Sequence, residues 1–194
     1  EPVMIVADSE LQEDGVHEAE WPKVPRLAVP TPPTGEPGAV REAAKWLVEA
    51  ELPLIVADRA ARTPAGVARL MELAELLGAP VVDQGSRMNF PNTHPLSLSE
   101  RGGALVRRAD VILGLELTDF WGTVNEYIDN LARDHGPRTK DGAKLVSISA
   151  NELYLKSNYQ DFQRYPELDL AIAGDAEATL PSLIEACRAL IDPR

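Results

Sequence analysis

The residues that decide the fold are Ala143–Ser149, AKLVSIS, and Asp169–Leu190, DLAIAGDAEATLPSLIEACRAL. Lys144–Ser149 reads as a buried strand and is followed by a polar turn. A second strand, Leu168–Ala173, ends in Gly174-Asp175, and Ala176–Ile191 then carries apolar residues at helical spacing. Strand, turn, strand, helix is how a parallel sheet with covering helices closes, and the same order recurs upstream.

Moving toward the amino terminus, Asp110–Gly114 predicts another strand, with a short helix before it around Glu100–Arg108 and a helix after it over 121–133. Pro80–Val82 and Leu54–Ala57 are two more strands. Between them Thr63 and Pro64 supply an N-cap and a proline at the first helical position, opening a helix that runs to Gly78. Ala39–Glu51 has Val40, Ala43, Ala44, Leu47 and Val48 on one helical face, stopped by Pro53. The expected fold is α/β: a Rossmann-like parallel sheet of about five to six strands with helices on both faces.

Before this lies a different composition. Val3–Ala7 is a continuous apolar run, expected to be a stray strand from a preceding domain. Residues 9–37 carry Pro22, Pro25, Pro30, Pro32, Pro33 and Pro37 and predict an extended linker. The expected divisions are therefore 1–8, 9–37 and 38–194. The first residue is Glu rather than Met, which leads to the expectation of a piece of a longer protein.

Composition narrows the function classes. The net charge of −12 argues against nucleic acid or an anionic membrane surface, because phosphate groups are bound by concentrated Lys and Arg. Small molecules or other protein segments are the expected partners. No apolar run approaches the roughly 20 residues that span a bilayer, and a cytoplasmic setting is expected. Cys187 is the one cysteine, so no disulfide framework or Cys-based zinc cluster forms, and it reads as a small buried residue. His17 and His135 lie in polar stretches without neighbours at ligand spacing, and His94 reads as a structural hydrogen-bonder.

In open parallel sheets ligands sit outside the carboxyl ends of the strands. The candidate nucleotide pocket is therefore Asp58, Arg59, Gly114, Glu116, Asp119, Ser147, Ser149, Gly174 and Asp175. Phe120 and Trp121, just past a strand end, could line a pocket or cover the sheet. After the first strand the turn Asp58-Arg-Ala-Ala-Arg-Thr63 contains no glycine, whereas a phosphate cradle needs close backbone approach. No catalytic residue and no metal ligand is assigned.

Several blocks, in order, resemble the central domain of thiamine-diphosphate-dependent enzymes of the acetolactate synthase and benzoylformate decarboxylase group. They are PLIVAD, LAELLGAPVVD, GSRMNFPNTHPLSL, RADVILGLEL, AKLVSIS and AGDAEATL. The resemblance covers about residues 38–190 and implies a parent lyase or transferase acting on a 2-keto acid, a homo-oligomer in which the central domain is a scaffold between flanking domains. It implies that thiamine diphosphate and magnesium are held by those other domains, which also carry the catalytic glutamate. Some members hold FAD or ADP in the central domain. Here Arg59-Ala60-Ala61 replaces the Gly-rich turn, Glu116 replaces the Arg of a Gly-x-Arg-Phe-Asp-Asp segment whose second Asp is matched by Asp119, and Ser147 and Ser149 replace two acids. A glutamate facing phosphate repels it, so FAD or ADP of the usual type is not expected. Gly174-Asp175 lacks the second glycine of the family's Gly-Asp-Gly magnesium motif. The alternatives are a nucleotide-binding module and a purely structural or oligomerisation domain.

Overall fold

The computed structural model describes residues 4–15, 23–85, 87–129, 131–154 and 164–191, in two units that divide between Thr31 and Pro32. In the first unit a single turn of helix, α1 (Ser9–Glu13), is capped by Asp8, whose carboxylate accepts the Glu10 N–H at 2.9 Å. Met4, Ile5 and Val6 are exposed and belong to no strand, which corrects the expected strand over this run; Val3 lies outside the described residues. Apolar composition makes a strand only where a neighbouring strand takes up its N–H and C=O groups. Residues 23–31 carry no element, and Val24, Leu27 and Val29 are exposed.

The second unit begins with α2 (Pro37–Glu49), where Glu36 is the N-cap and accepts the Ala39 N–H at 2.7 Å. The cap places the helix start inside the expected linker. Val40, Ala43, Ala44 and Leu47 form its buried stripe. There follow β1 (Pro53–Ala57), α3 (Pro64–Leu77), β2 (Val81–Asp83), a 3-10 turn at Ser99–Arg101, α4 (Gly102–Val106) and β3 (Val111–Leu115). Gly78 ends α3 in the left-handed region at φ 60°, a geometry that favours glycine. Next come α5 (Phe120–Val124), the hairpin β4 (Asn125–Asp129) and β5 (Asp134–Pro137), β6 (Lys144–Ser149), a 3-10 turn at Ala150–Tyr154, β7 (Leu170–Ala173) and α6 (Ala176–Ile191).

All five strands of the main sheet are parallel, in the order β2-β1-β3-β6-β7. The central strands β1 and β3 are apolar throughout because both their faces are covered, whereas β7, at the edge, leaves Ala171 and Ala173 exposed. Ile55, Leu113 and Val146 look toward α2, α3 and α6, packing with Leu47, Leu70, Leu73, Leu180 and Leu183. Leu54, Val56 and Ile112 look the other way, onto Leu105, Val106, Phe120 and Val124. Fully burying each large aliphatic side chain contributes about 1.5–3 kcal/mol. The sequence runs outward from β1 to β2 on one side and from β3 to β7 on the other, so the topological switch lies between the carboxyl ends of β1 and β3.

The helix expected over 121–133 is overturned: helix persists only to Val124, and an antiparallel hairpin follows. Val124, Tyr127, Ile128 and Leu131 do have helical spacing, but Ile128 is 75% and Leu131 98% exposed, so no surface receives that stripe. Tyr127 instead pairs with His135, and Trp121 packs on both rings, at 5.5 and 5.2 Å between centroids. No described helix is long and apolar enough to cross a membrane.

Candidate functional site

Asp58 leaves β1 at the switch point and is buried. Its N–H donates to the Leu115 carbonyl at 3.1 Å, and its Oδ2 accepts the Thr118 N–H at 3.0 Å and the Thr118 hydroxyl at 2.5 Å. The carboxylate thus clamps the exit of β1 to the exit of β3, while its Oδ1 is buried without a hydrogen-bond partner among the described residues. Arg59 points outward, and only its N–H enters the site, toward the Glu116 carbonyl at 3.4 Å.

The next donors are all taken by side chains from elsewhere in the fold. Asn89, fully buried, accepts the N–H groups of Ala60 and Ala61 on Oδ1 at 3.1 and 3.0 Å. Its Nδ2 donates to the carbonyls of Asp58 and Arg87 and to Asp83 Oδ1. Glu177 Oε2 accepts the N–H groups of Arg62 and Thr63 at 2.5 and 3.2 Å. From Asp58 to Thr63, the turn that would approach a phosphate has its backbone donors satisfied internally.

Glu116 sits in the left-handed region at φ 49°, a conformation that costs a non-glycine residue about 1–3 kcal/mol. That backbone aims its carboxylate at three donors: the Ser149 hydroxyl at 2.9 Å, the Ala150 N–H at 3.1 Å and the Ala176 N–H at 2.9 Å. Burial pushes the Glu116 carboxyl above the usual glutamate range, against those hydrogen bonds, and the nearby Asp175 acts in the same direction as burial. Asp175 caps α6 through the Ala178 N–H at 2.8 Å, forms an ion pair with Arg62, and donates its own N–H to the Pro33 carbonyl at 2.8 Å. Gly174 is required by closeness: a Cβ there would lie 2.8 Å from the Gly35 nitrogen.

Among the candidate residues the structure therefore gathers Glu116, Ser149 and Asp175 at one locus, with Gly174 beside them and Asp58 and the Arg59 N–H bordering it. The others point elsewhere. Ser147 donates to Glu152 at 2.9 Å. A Cβ on Gly114 would lie 2.9 Å from both Leu117 Cδ1 and Phe120 Cε1, so this glycine serves packing over β3. Asp119 caps α5 through the Gly122 N–H at 2.8 Å and pairs with Arg164, whose guanidinium lies 4.4 Å from the Trp121 ring centroid. Phe120 is buried under the sheet, whereas Trp121 lines an open groove of about 590 Å³ with His135, Leu145, Tyr165 and Asp169.

Three side chains of this region, Asn89, Arg62 and Glu177, are not legible as site residues from sequence. Glu177 is recognisable as a first-turn acid of α6, but the donors it accepts belong to Arg62 and to Thr63, the N-cap of α3. His94 bonds Glu75 at 3.1 Å and accepts the Leu96 N–H. His17 lies outside the described residues. Burial pushes the Cys187 thiol up to about 12, which leaves it unreactive as a nucleophile. No group of three or more His, Cys, Asp or Glu able to hold a metal occurs among the described residues. With Asp175 committed to Arg62 and to α6, the residues present do not fit a magnesium–diphosphate group. They do not fit a nucleotide phosphate either, because the turn's donors are occupied and Glu116 fills the neighbouring cradle.

The family described as "Thiamine pyrophosphate enzyme, central domain" matches residues 40–183. Acetolactate synthase of Mycobacterium bovis is 28% identical over 179 residues, covering 87% of this chain and 26% of that protein. Sulfoacetaldehyde acetyltransferase of Roseovarius nubinhibens is 35% identical over 102 residues, covering 48% of this chain and 17% of that protein. The fold is shared with benzoylformate decarboxylase from Polynucleobacter necessarius, at a TM-score of 0.63 and 20% identity over 86% of this chain and 30% of that one. The chain thus spans about a quarter of the length of the first two of the curated relatives it matches.

Proposed function

Given that the chain belongs to the family of thiamine pyrophosphate enzyme central domains, we propose that it is the central scaffold of a thiamine-diphosphate-dependent lyase or transferase of the acetolactate synthase type, acting on a 2-keto acid in the cytoplasm. Thiamine diphosphate and magnesium are held by flanking domains, and those domains, together with further copies of the protein, are its partners; neither nucleic acid nor a membrane is. The observation that carries this reading is the closed carboxyl edge. Asn89, Glu177 and Glu116 occupy the backbone donors by which a sheet of this topology would take a phosphate. An edge so closed ties β1, β3, β6 and α6 into one rigid block and holds no FAD or ADP. The exposed apolar side chains of the hairpin, Ile128 and Leu131, support contacts with other domains or subunits.

Isothermal titration of the chain with thiamine diphosphate and magnesium chloride tests the assignment. No heat of binding is expected, and the purified protein should be colourless. Micromolar affinity for the cofactor, or flavin absorbance that survives dialysis, would overturn it.

A further inference from the structure

We propose that Glu116 is a built-in anion whose carboxylate occupies the cradle formed by the end of β6 and the start of α6, and thereby shuts this edge to phosphate-bearing ligands. The inference deepens the scaffold reading and rests on its statement that no nucleotide is held here.

The cradle is assembled from two elements. Ser149 Oγ and the Ala150 N–H come from the end of β6, and the Ala176 N–H comes from the first residue of α6, a helix of 16 residues. Two backbone N–H groups and a hydroxyl converging at the positive end of a helix are what a phosphate oxygen would be offered. Here a carboxylate of the same chain takes all three. Glu116 reaches them from the end of β3 only by adopting φ 49°, so its backbone is set against its own preference in order to deliver the side chain. Its N–H, donating to the Ile148 carbonyl at 3.0 Å, and its carbonyl, facing the Arg59 N–H, hold that backbone in place.

Among the described residues, the neighbouring donors are already taken. Toward β1 the donors are committed to Asn89 and Glu177. The carboxylates of Asp175, Glu177 and Glu116 all act on Arg62, and Arg62 is paired with Asp175. An incoming anion would have to displace Glu116 and meet that field. Removing the Glu116 side chain deletes the occupant and one negative charge together, and in the case of glycine it also relaxes the left-handed backbone.

The test measures binding of inorganic pyrophosphate and ADP to the 194-residue chain, as wild type, Glu116→Gly and Glu116→Gln, at low ionic strength, with circular dichroism reporting which variants are folded. The wild type is expected to bind neither probe at millimolar concentration. Glu116→Gly should bind pyrophosphate at least about tenfold more tightly than wild type, since three donors are freed and a like charge is lost. Glu116→Gln, which fills the same space without the charge, should fall between them. Tight binding by the wild type would overturn both this inference and the scaffold reading. A folded Glu116→Gly no better than wild type would overturn the inference alone. If the glycine variant does not fold, Glu116→Gln decides, and a folded Gln variant indistinguishable from wild type overturns the inference.

Discussion

Glu177, in the first turn of α6, shares its carboxylate with the N-cap of α3: Oε1 accepts the Thr63 hydroxyl at 2.6 Å while Oε2 accepts the backbone N–H groups of Arg62 and Thr63. Thr63 Oγ1 in turn accepts the Gly66 N–H at 3.0 Å, so one chain of hydrogen bonds runs from α6 into the first turn of α3. A Cβ on Gly66 would lie 2.5 Å from the Glu177 carboxyl carbon, which explains a glycine inside a helix. The positive ends of two helices are stitched by one negative group.

This latch has a pH signature. Burial acts to raise the Glu177 carboxyl, but hydrogen bonds from Thr63 and Arg62 and the charge of Arg62 hold it below its ordinary value of 4.5. A depressed folded value means the stabilisation is present above the unfolded value and lost as pH falls through the folded one. Glu177→Gln should therefore be less stable than wild type at pH 7, by about 1 kcal/mol, with a smaller loss on acidification below pH ~4.5. Urea unfolding at several pH values between 3 and 7 checks this; parallel acid limbs for the two proteins would contradict it.

Asn89 is the side chain whose loss should cost the fold most at this edge. Asn89→Ala leaves the buried N–H groups of Ala60 and Ala61 without acceptors and removes donors from Asp58, Asp83 and Arg87. The expected destabilisation is about 2–4 kcal/mol. Chemical denaturation measures it, and a change under 1 kcal/mol would show that water replaces the amide.

Gly174→Ala tests the close approach of two backbones. The new methyl would meet the Gly35 nitrogen at 2.8 Å and the Thr34 carbonyl carbon at 3.0 Å, neither of them the end of a flexible side chain. A loss of about 1–3 kcal/mol is expected, read as a lowered midpoint in thermal unfolding. An unchanged midpoint would mean residues 34–35 move aside freely.

Truncation locates the edge of the second unit. Deleting residues 1–31 should leave a cooperative thermal transition within a few degrees of the full chain. Deleting 1–37 should lower it further, because Pro33 accepts the Asp175 N–H, the Gly35 N–H donates to Thr179 and Glu36 caps α2. Equal midpoints for the two truncations would remove these contacts from any role in stability.

What could be read without coordinates follows from locality. The closing helix is Ala176–Ile191, as its apolar period and flanking Asp175 indicate, and α3 begins at Pro64 behind its Thr63 cap. The main-sheet strands fall within about two residues of their apolar runs, most plainly β1 and β3, which are covered on both faces and therefore apolar throughout. The same local reading fails where burial contradicts period. Helical spacing at Val124, Tyr127, Ile128 and Leu131 meets no receiving surface, so a hairpin forms there.

By itself, then, the order of apolar runs and caps determined a parallel α/β sheet and put Glu116, Ser149 and Asp175 at strand ends. Only the tertiary structure decided what those ends do. Glu116 meets its donors across 33 to 60 positions, Asn89 meets Ala60 across 29 and Glu177 meets Arg62 across 115. Such pairs come together because the strand order sets β3 beside both β1 and β6 and packs α6 against α3, and hydrogen bonding depends on distance in space, to which separation along the chain is no guide.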